Sequence, residues 1–404
     1  MTSQGNTLAR QIGRREYVLI LFALAMGGFA IGTSEFASMG LMPNIARGLS
    51  ISEPQVGHLI SAYALGVVIG APVLAILGAR LRRKPMAVSL MAFYALGNLA
   101  SALAPNYAVA LVCRFVAGLP HGAYFGVAAL VAASISRPDQ RGAAVSRVMM
   151  GLALAVLLGN PLASWMGEVW GWRSAYLLVT LIAAATVALV AYLLPSDPAE
   201  PRHDPLREIR AFNRSQVWLA LGIGSVGFAG MFCVFSYLVP TLTEVTGASV
   251  GWVPVALGAF GVGSILGTLF GGWLYDRIGF RSVFWVLLWS TGVLLLFPLS
   301  AGSLWSLLLA VVGLGTMGAL GPALQMRLMD VSSDAQTLAA ASHHAAFNVA
   351  NALGPWLGGL AITAGMGWTV TGYVGAATAV GGLLVYAWAR HDESRLHRLA
   401  RQAD

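Results

Sequence analysis

The sequence is poor in charged residues and in cysteine, and both shortages narrow the class of protein. Only 10% of its 404 residues are charged and 57% are hydrophobic, whereas about 25% charged residues is usual for soluble domains. A surface with so little charge cannot stay hydrated, so the composition predicts a membrane protein. The two cysteines, Cys113 and Cys233, each lie inside an apolar run, which supports neither a disulfide framework nor a metal cluster.

Signatures of enzymes and ATP-driven pumps are also missing. The chain has no Gly-x-x-x-x-Gly-Lys-Ser/Thr phosphate loop, no Cys/His cluster with metal spacing and no supported Ser/His/Asp constellation. Since these patterns are what nucleotide hydrolysis, zinc binding and acyl transfer need, we expect no enzyme activity, no cofactor and no bound metal.

The sequence contains many long apolar runs. A membrane-spanning helix needs about 20 apolar residues, and twelve such runs occur with only short spacers between them. The first run is too long for a signal-peptide core and no convincing cleavage site follows, so we expect an uncleaved first span. The runs lie near 17–42, 55–77, 85–105, 107–133, 144–166, 173–194, 217–240, 250–275, 282–300, 303–326, 337–364 and 368–389.

The basic residues are distributed unevenly between the two sides of this layout. Of 24 Lys and Arg, Arg47 and Arg173 fall on one side, Arg114 lies inside the fourth run, and the other 21 share the side of the N-terminus. This asymmetry predicts that both termini are cytoplasmic. The formal net charge of +8 is then explained by orientation and by attraction to anionic membrane lipid, and no nucleic-acid partner is expected.

The twelve runs divide into two similar halves. A Pro- and Arg-rich linker, 195–216, separates residues 1–194 from residues 217–390, and a tail follows at 391–404. A duplicated unit of six spans is typical of transporters that expose a central site alternately to each side, although glycine-rich helices also match by chance. At an offset of 197 the matched pairs are Pro43 with Pro240, Gly66 with Gly263, Gly70 with Gly267, and Arg80 with Arg277.

The segment "GGWLYDRIGFRSVF", 271–284, resembles the Gly-x-x-x-Asp-Arg-x-Gly-Arg-Arg loop of the major facilitator superfamily. The resemblance implies a charged latch at the inner face, which gates the change of conformation. The matching residues are Asp276, Arg277, Gly279 and Arg281. The first-half copy, "ILGARLRRKP", keeps Arg80 and Arg83 but has Ala79 where the acid is expected and Arg82 where the second glycine is expected.

Three further stretches resemble the twelve-span drug/proton antiporter branch, in particular its sugar-efflux, arabinose-efflux-like and chloramphenicol-resistance members. They are "GTSEFASMGLMPNIA"; "CRFVAGLPHGAYFG", in which Ala117 replaces the expected Gln; and "GLALAVLLGNPLASW", in which Asn160 interrupts the Gly159–Pro161 pair. The resemblance implies an all-α fold of twelve transmembrane helices in two pseudo-symmetric six-helix bundles. It also implies H+ as the coupling ion, a monomer, and gating through the glycine-rich fifth span.

Three polar residues inside the runs are candidates for proton coupling. Glu35 is the only acid placed deep in a span, where desolvation favours its neutral form, so we expect it to bind and release the proton. The alternative is a structural carboxylate that is paired with a cation or lies near the outer membrane interface. The fourth-span resemblance implies that Arg114 tunes the proton affinity of this carboxyl or helps to shuttle the proton; the alternative is that it braces a neighbouring helix. His121 follows Arg114 by two helical turns on the same face and either relays a proton or packs structurally.

Buried amides, aromatic residues and one further histidine are candidates for binding a small-molecule substrate, with helix packing as the alternative for each. They are His58, Tyr63, Asn98, Tyr124, Asn160, Phe232, Phe235, Tyr237, Gln325, Asn348 and Asn351. His343 and His344 begin the eleventh run and are expected near the membrane interface instead.

The leading hypothesis is therefore a proton-coupled exporter of a small amphipathic, drug-like or sugar-like compound in a bacterial inner membrane. Two alternatives remain open: proton-coupled uptake by the same fold, and a membrane sensor or scaffold that does not transport.

Overall fold

The computed structural model describes residues 13–51, 53–78, 80–195, 213–332 and 336–403. This part of the chain is almost entirely helical and contains no strand, which confirms the all-α prediction. Helices form here because the apolar runs have no water to bond their backbone, and a helix bonds every backbone group internally. The predicted linker 195–216 lies mostly outside the described residues.

In the described part of the first half, the six predicted spans correspond to eight α-helices, because a short helix follows the first span and the fifth span is interrupted. They are α1 (Arg14–Gly40), α2 (Met42–Leu49), α3 (Glu53–Gly78), α4 (Arg83–Ala102), α5 (Tyr107–Ser134), α6 (Arg141–Leu154), α7 (Asn160–Trp170) and α8 (Arg173–Leu193).

The described residues of the second half form nine α-helices, because its first and fourth spans are each divided. They are α9 (Ser215–Gly227), α10 (Ala229–Ser236), α11 (Leu238–Pro240), α12 (Val253–Ile278), α13 (Arg281–Ser300), α14 (Leu304–Thr316), α15 (Leu320–Val331), α16 (Gln336–Thr363) and α17 (Val370–Ala403).

Among the described residues, eleven helical segments are long and apolar enough to cross a membrane. The remaining predicted span, 337–364, is the helix α16. It is not one of the eleven, and it carries four polar side chains whose amide and imidazole groups lower its hydropathy: His343, His344, Asn348 and Asn351.

The described residues group into two compact units. The first unit holds α1–α8 together with residues 336–345 of α16, and the second holds α9–α15, the rest of α16 and α17. The sequence placed all of α16 in the C-terminal bundle. The structure differs because the start of α16 packs closely on α5: a Cβ on Gly126 would lie 2.7 Å from the backbone nitrogen of Ala341.

The fifth span changes its helical geometry where the predicted gating motif lies. A π-helical turn, Ala155–Gly159, joins α6 to α7, whose second residue is Pro161. Proline lacks the N–H that continues a regular helix, and an inserted π turn adjusts the hydrogen-bond register. A Cβ on Gly159 would overlap Oγ1 of Thr33, so this turn packs closely on α1. Pro161 itself is exposed.

The two units use the same glycine contacts to pack equivalent helices. A Cβ on Gly66 would overlap the carbonyl oxygen of Phe115, and a Cβ on Gly263 would overlap that of Val312. Both members of the second pair stand 197 positions after those of the first. Small residues let membrane helices approach closely, so α3 packs on α5 in the same way as α12 packs on α14. The predicted internal repeat is thus reproduced in three dimensions.

Candidate functional site

Glu35 lies in α1 and is 4% exposed. Neither of its carboxyl oxygens has a hydrogen-bond partner among the described residues. A buried ionised carboxylate without hydrogen bonds is unfavourable, whereas the protonated form loses most of that penalty. The carboxyl group of Glu35 is therefore buried without a hydrogen bond from the described residues to stabilise a negative charge.

Arg114 of α5 approaches α1 one residue away from Glu35. Its guanidinium donates from Nη1 to Oγ of Ser34 at 2.9 Å and from Nη2 to the carbonyl oxygen of Ser34 at 3.3 Å. Arg114 is 2% exposed and interacts electrostatically with the Glu35 carboxyl. The sequence left open whether Arg114 acts on the acid or braces a helix. Its hydrogen bonds to Ser34 hold α5 against α1, and its charge also acts on the Glu35 carboxyl.

Ser34 also connects α1 to α4. Its hydroxyl donates to Oδ1 of Asn98 at 2.6 Å, and Nδ2 of Asn98 donates to the carbonyl oxygen of Tyr94 at 2.9 Å. These two bonds fix which end of the amide is the acceptor. Asn98, which is predicted to contact substrate, is completely buried. Its hydrogen bond to Ser34 holds α4 against α1.

Tyr63 of α3 connects the arginine to His121. The guanidinium carbon of Arg114 lies 4.3 Å from the centre of the Tyr63 ring, a favourable cation–π arrangement. The Tyr63 hydroxyl lies 3.0 Å from Nδ1 of His121 and 3.2 Å from the hydroxyl of Tyr94. We call Ser34, Tyr63, Tyr94, Asn98, Arg114 and His121 the Tyr63 network.

The hydrogen bonds of the Tyr63 network have one consistent direction. Tyr94 donates its only hydroxyl proton to the carbonyl oxygen of Ile31 at 3.3 Å, so it accepts from Tyr63. Tyr63 therefore donates to Tyr94 and accepts from His121, which must carry its proton on Nδ1. Nε2 of His121 is then the unprotonated nitrogen, and it is buried with no partner in the described part of the chain.

His343 and His344, which the sequence places near the membrane interface, are buried in the first unit. Their side chains are only 2% and 1% exposed. The ring centre of His344 lies 4.2 Å from that of Phe125, in a stacked arrangement, and 5.3 Å from that of His121. Although imidazoles gather here, no group of three or more His, Cys, Asp or Glu within the described ranges could hold a metal ion.

Three predicted residues of the first unit lie outside the Tyr63 network. His58 is exposed, with Nδ1 at 2.9 Å from the hydroxyl of Tyr107. Tyr124 is fully buried and donates to the carbonyl oxygen of Leu24 at 3.0 Å, which ties α5 to α1. Asn160 is half-buried, and its Oδ1 has no hydrogen-bond partner in the portion of the chain that is described.

Three of the predicted substrate residues of the second unit make ring or hydrogen-bond contacts within that unit. Phe232 packs edge-on against Phe347 with ring centres 4.9 Å apart, and Phe235 packs on Phe260 at 4.3 Å. Tyr237 donates to a backbone carbonyl, that of Pro355, at 2.8 Å and lines a cavity of about 540 Å³. Gln325 and Asn348 are buried and Asn351 is half-buried.

The loop residues that carry the family motif lie at helix ends. Gly279 ends α12 with φ +58°, a conformation that favours glycine. Around it, Asp276 is half-buried, Arg281 is exposed at the start of α13, and the Arg277 guanidinium lies 4.5 Å from the Trp273 ring centre. In the first unit, exposed Arg80 follows the end of α3, and half-buried Arg83 is the first residue of α4.

A second charged cluster, which the sequence did not single out, lies in the second unit. Arg327 of α15 is 7% exposed and contacts Glu393 at 3.1 Å. It also donates to Oε1 of Gln216 at 2.7 Å, and the other carboxyl oxygen of Glu393 pairs with Arg390 at 2.7 Å. This cluster ties α15 and α9 to the end of α17.

Comparison with known proteins agrees with this architecture. The model of the Major Facilitator Superfamily matches residues 24–256 and 228–404. The chain therefore belongs to the major facilitator superfamily, a family of membrane transporters and not of enzymes.

Two relatives and one solved structure illustrate the match. The chain is 39% identical to the inner membrane transport protein YdhP of Escherichia coli O157:H7, over 92% of this chain and 96% of the relative. It is 31% identical to a chloramphenicol resistance protein of Streptomyces lividans, over 83% and 87%. The crystal structure of the transporter FucP, in its outward conformation, superposes with a TM-score of 0.73 at 16% identity, covering 93% and 99%.

Proposed function

We propose that this protein exports a small amphipathic compound, drug-like or sugar-like, in exchange for protons. Membership of the major facilitator superfamily and the name of the Streptomyces relative, a chloramphenicol resistance protein, support export of a small molecule. The name of the Escherichia coli relative, an inner membrane transport protein, supports a bacterial inner membrane. The asymmetry of the basic residues supports cytoplasmic termini.

The observation that supports proton coupling is the burial of the Glu35 carboxyl group without hydrogen bonds from the described residues. Protonation therefore relieves a desolvation penalty. The neighbouring Arg114 opposes this by favouring the charged form. Burial and a nearby cation with opposing effects are what a carboxyl needs to bind a proton in one state and release it in another.

Cargo and proton then need only favour different conformations. A ligand shifts a conformational equilibrium by as much as its affinity differs between the two states. In the proposed cycle, cargo is carried outward in the form with Glu35 ionised, and the return step takes place with Glu35 protonated. The Tyr63 network holds Arg114 and α1 in the geometry that sets the proton affinity of Glu35.

The test is transport into everted membrane vesicles from cells that overproduce the protein, with chloramphenicol and a panel of neutral sugars as probes. We expect respiration-driven accumulation of at least one probe, which a protonophore abolishes. Glu35→Gln should abolish accumulation as well, whereas Glu168→Gln, at an exposed carboxyl of α7, should not. Proton-driven accumulation in right-side-out vesicles instead would establish uptake and overturn export.

A further inference from the structure

A cavity of about 940 Å³ opens in the first unit between α1, the end of α5 and α6. It lies apart from the Tyr63 network and shares no residue with it. Arg14, Arg137 and Arg147 line one end, and apolar side chains of α1 and α6 line the rest. No carboxylate is among the lining residues that the structure describes. The cavity therefore combines a cationic end with an apolar wall.

The cationic end is organised by hydrogen bonds. Arg147 donates from Nη1 to the hydroxyl of Tyr17 at 3.2 Å, and that hydroxyl lies 3.0 Å from Oγ of Ser136. Ser136 gives its own proton to the carbonyl oxygen of Ala132 at 2.7 Å, so Tyr17 is the donor to Ser136. This chain positions Arg147 at the cavity and leaves its remaining N–H donors for an anion.

Nearby acids neutralise this end only weakly. Asp139 pairs with Arg137 at 3.2 Å, but the two side chains are 59% and 73% exposed, and such surface pairs contribute little. Glu16 is exposed in the first turn of α1 and does not line the cavity. The net field at the rim is therefore positive.

The apolar wall has the length of one membrane leaflet. From Val18 to Phe29, both of which line the cavity, α1 rises about 16 Å, and one leaflet of hydrocarbon is about 15 Å thick. Val18 and Phe22 are 56% and 58% exposed, so the wall is accessible from the side. An amphiphile with an anionic head and an aliphatic chain matches both ends of this groove.

We propose that this groove binds an anionic phospholipid of the leaflet that faces the N-terminus. The headgroup phosphate would contact Arg14, Arg137 and Arg147, and an acyl chain would lie along Val18 and Phe22 toward Phe29. Basic pockets between transmembrane helices on the cytoplasmic side are favourable sites for such headgroups.

Native mass spectrometry of the detergent-solubilised full chain tests the proposal, with dioleoyl phosphatidylglycerol and dioleoyl phosphatidylcholine as probes. We expect preferential retention of phosphatidylglycerol. Arg147→Gln should lower that preference about fivefold, the effect of one cation near an anionic headgroup. Arg147→Lys should retain it, and so should Arg395→Gln, which removes an exposed arginine of α17 outside the cavity. Size-exclusion profiles of all variants check folding.

Three results would overturn the proposal. The first is equal retention of the two lipids by the wild type, which would make the groove an apolar cleft without headgroup selectivity. The second is an unchanged preference in Arg147→Gln and in the double variant Arg14→Gln/Arg147→Gln. The third is an equal loss in Arg395→Gln, which would assign the preference to the overall charge of the chain.

Discussion

Arg114 donates through Nη1 to the hydroxyl of Ser34 at 2.9 Å, and Ser34 directly precedes Glu35 along α1. The only arginine that the sequence places within a span is therefore bound to the neighbour of the only deep acid, and not hydrogen-bonded to the acid itself. Glu35 keeps both oxygens unbonded in the described part of the chain, while the charge of Arg114 acts on it from nearby.

Ser34→Ala tests whether this serine holds the network together. The change removes the acceptor of Arg114 Nη1 and the donor to Asn98 Oδ1. Leaving buried polar groups unpaired costs about 1–3 kcal/mol, so the free energy of unfolding in mixed micelles should fall by that amount. Ser134→Ala is the matched control, because Ser134 bonds only the carbonyl oxygen of Val131 in its own helix. Equal losses in the two variants would show that Ser34 is an ordinary helix serine.

Tyr63→Phe tests whether the Tyr63 hydroxyl contributes to proton coupling or only to packing. It keeps the ring beneath Arg114 but removes the hydroxyl that joins His121 to Tyr94. We expect the proton-driven transport rate to fall about tenfold, which corresponds to about 1.4 kcal/mol of lost stabilisation. Tyr124→Phe removes another buried hydroxyl, one bonded to Leu24. It should lower stability by about 1 kcal/mol while the transport rate stays near wild type.

Rate measurements in proteoliposomes distinguish these outcomes. If Tyr63→Phe and Tyr124→Phe slowed transport to the same extent, the effect would belong to general loss of packing, and the Tyr63 network would have no special part in coupling.

The paired glycines predict symmetrical effects on stability. Gly66→Ala and Gly263→Ala each place a methyl group onto a backbone carbonyl oxygen of the neighbouring helix, so each should destabilise by about 1–3 kcal/mol. Gly57→Ala and Gly292→Ala are controls in the same helical context, because an added Cβ meets nothing within 4 Å. They should be neutral or stabilising by up to about 1 kcal/mol. Thermal unfolding of the four variants measures this, and a loss at only one of the paired glycines would contradict equivalent packing.

The helices and the internal repeat could be predicted from the sequence, because both depend on local physical constraints. Apolar length determines where a helix can cross a bilayer, and glycine spacing records where helices touch. The twelve apolar runs and the 197-residue offset therefore predicted features that the structure contains. The gating motif of the fifth span was recognised from Gly159 and Pro161, but the span was predicted as continuous, because the π turn that interrupts it depends on hydrogen-bond register.

The site was only partly predictable, because its members come from helices far apart in the sequence. Glu35, Arg114 and His121 were recognised as rare polar groups in apolar runs. Ser34 and Tyr94 were missed, since a serine or tyrosine in a membrane helix is common and gains meaning only from its partner. The burial of His344 was not predicted, because it results from packing of the alanine-rich start of α16 on α5.

Proton coupling through Glu35 is the central claim, and cargo exchange compared with uphill transport tests it most directly. Proteoliposomes containing wild type or Glu35→Gln would be assayed for counterflow of labelled cargo without a gradient, and for accumulation driven by an imposed pH gradient. The account predicts that Glu35→Gln loses both gradient-driven accumulation and counterflow, since a permanently neutral side chain neither releases a proton nor reaches the ionised form that carries cargo, whereas Glu168→Gln retains both. Gradient-driven accumulation by Glu35→Gln at the wild-type level would contradict it.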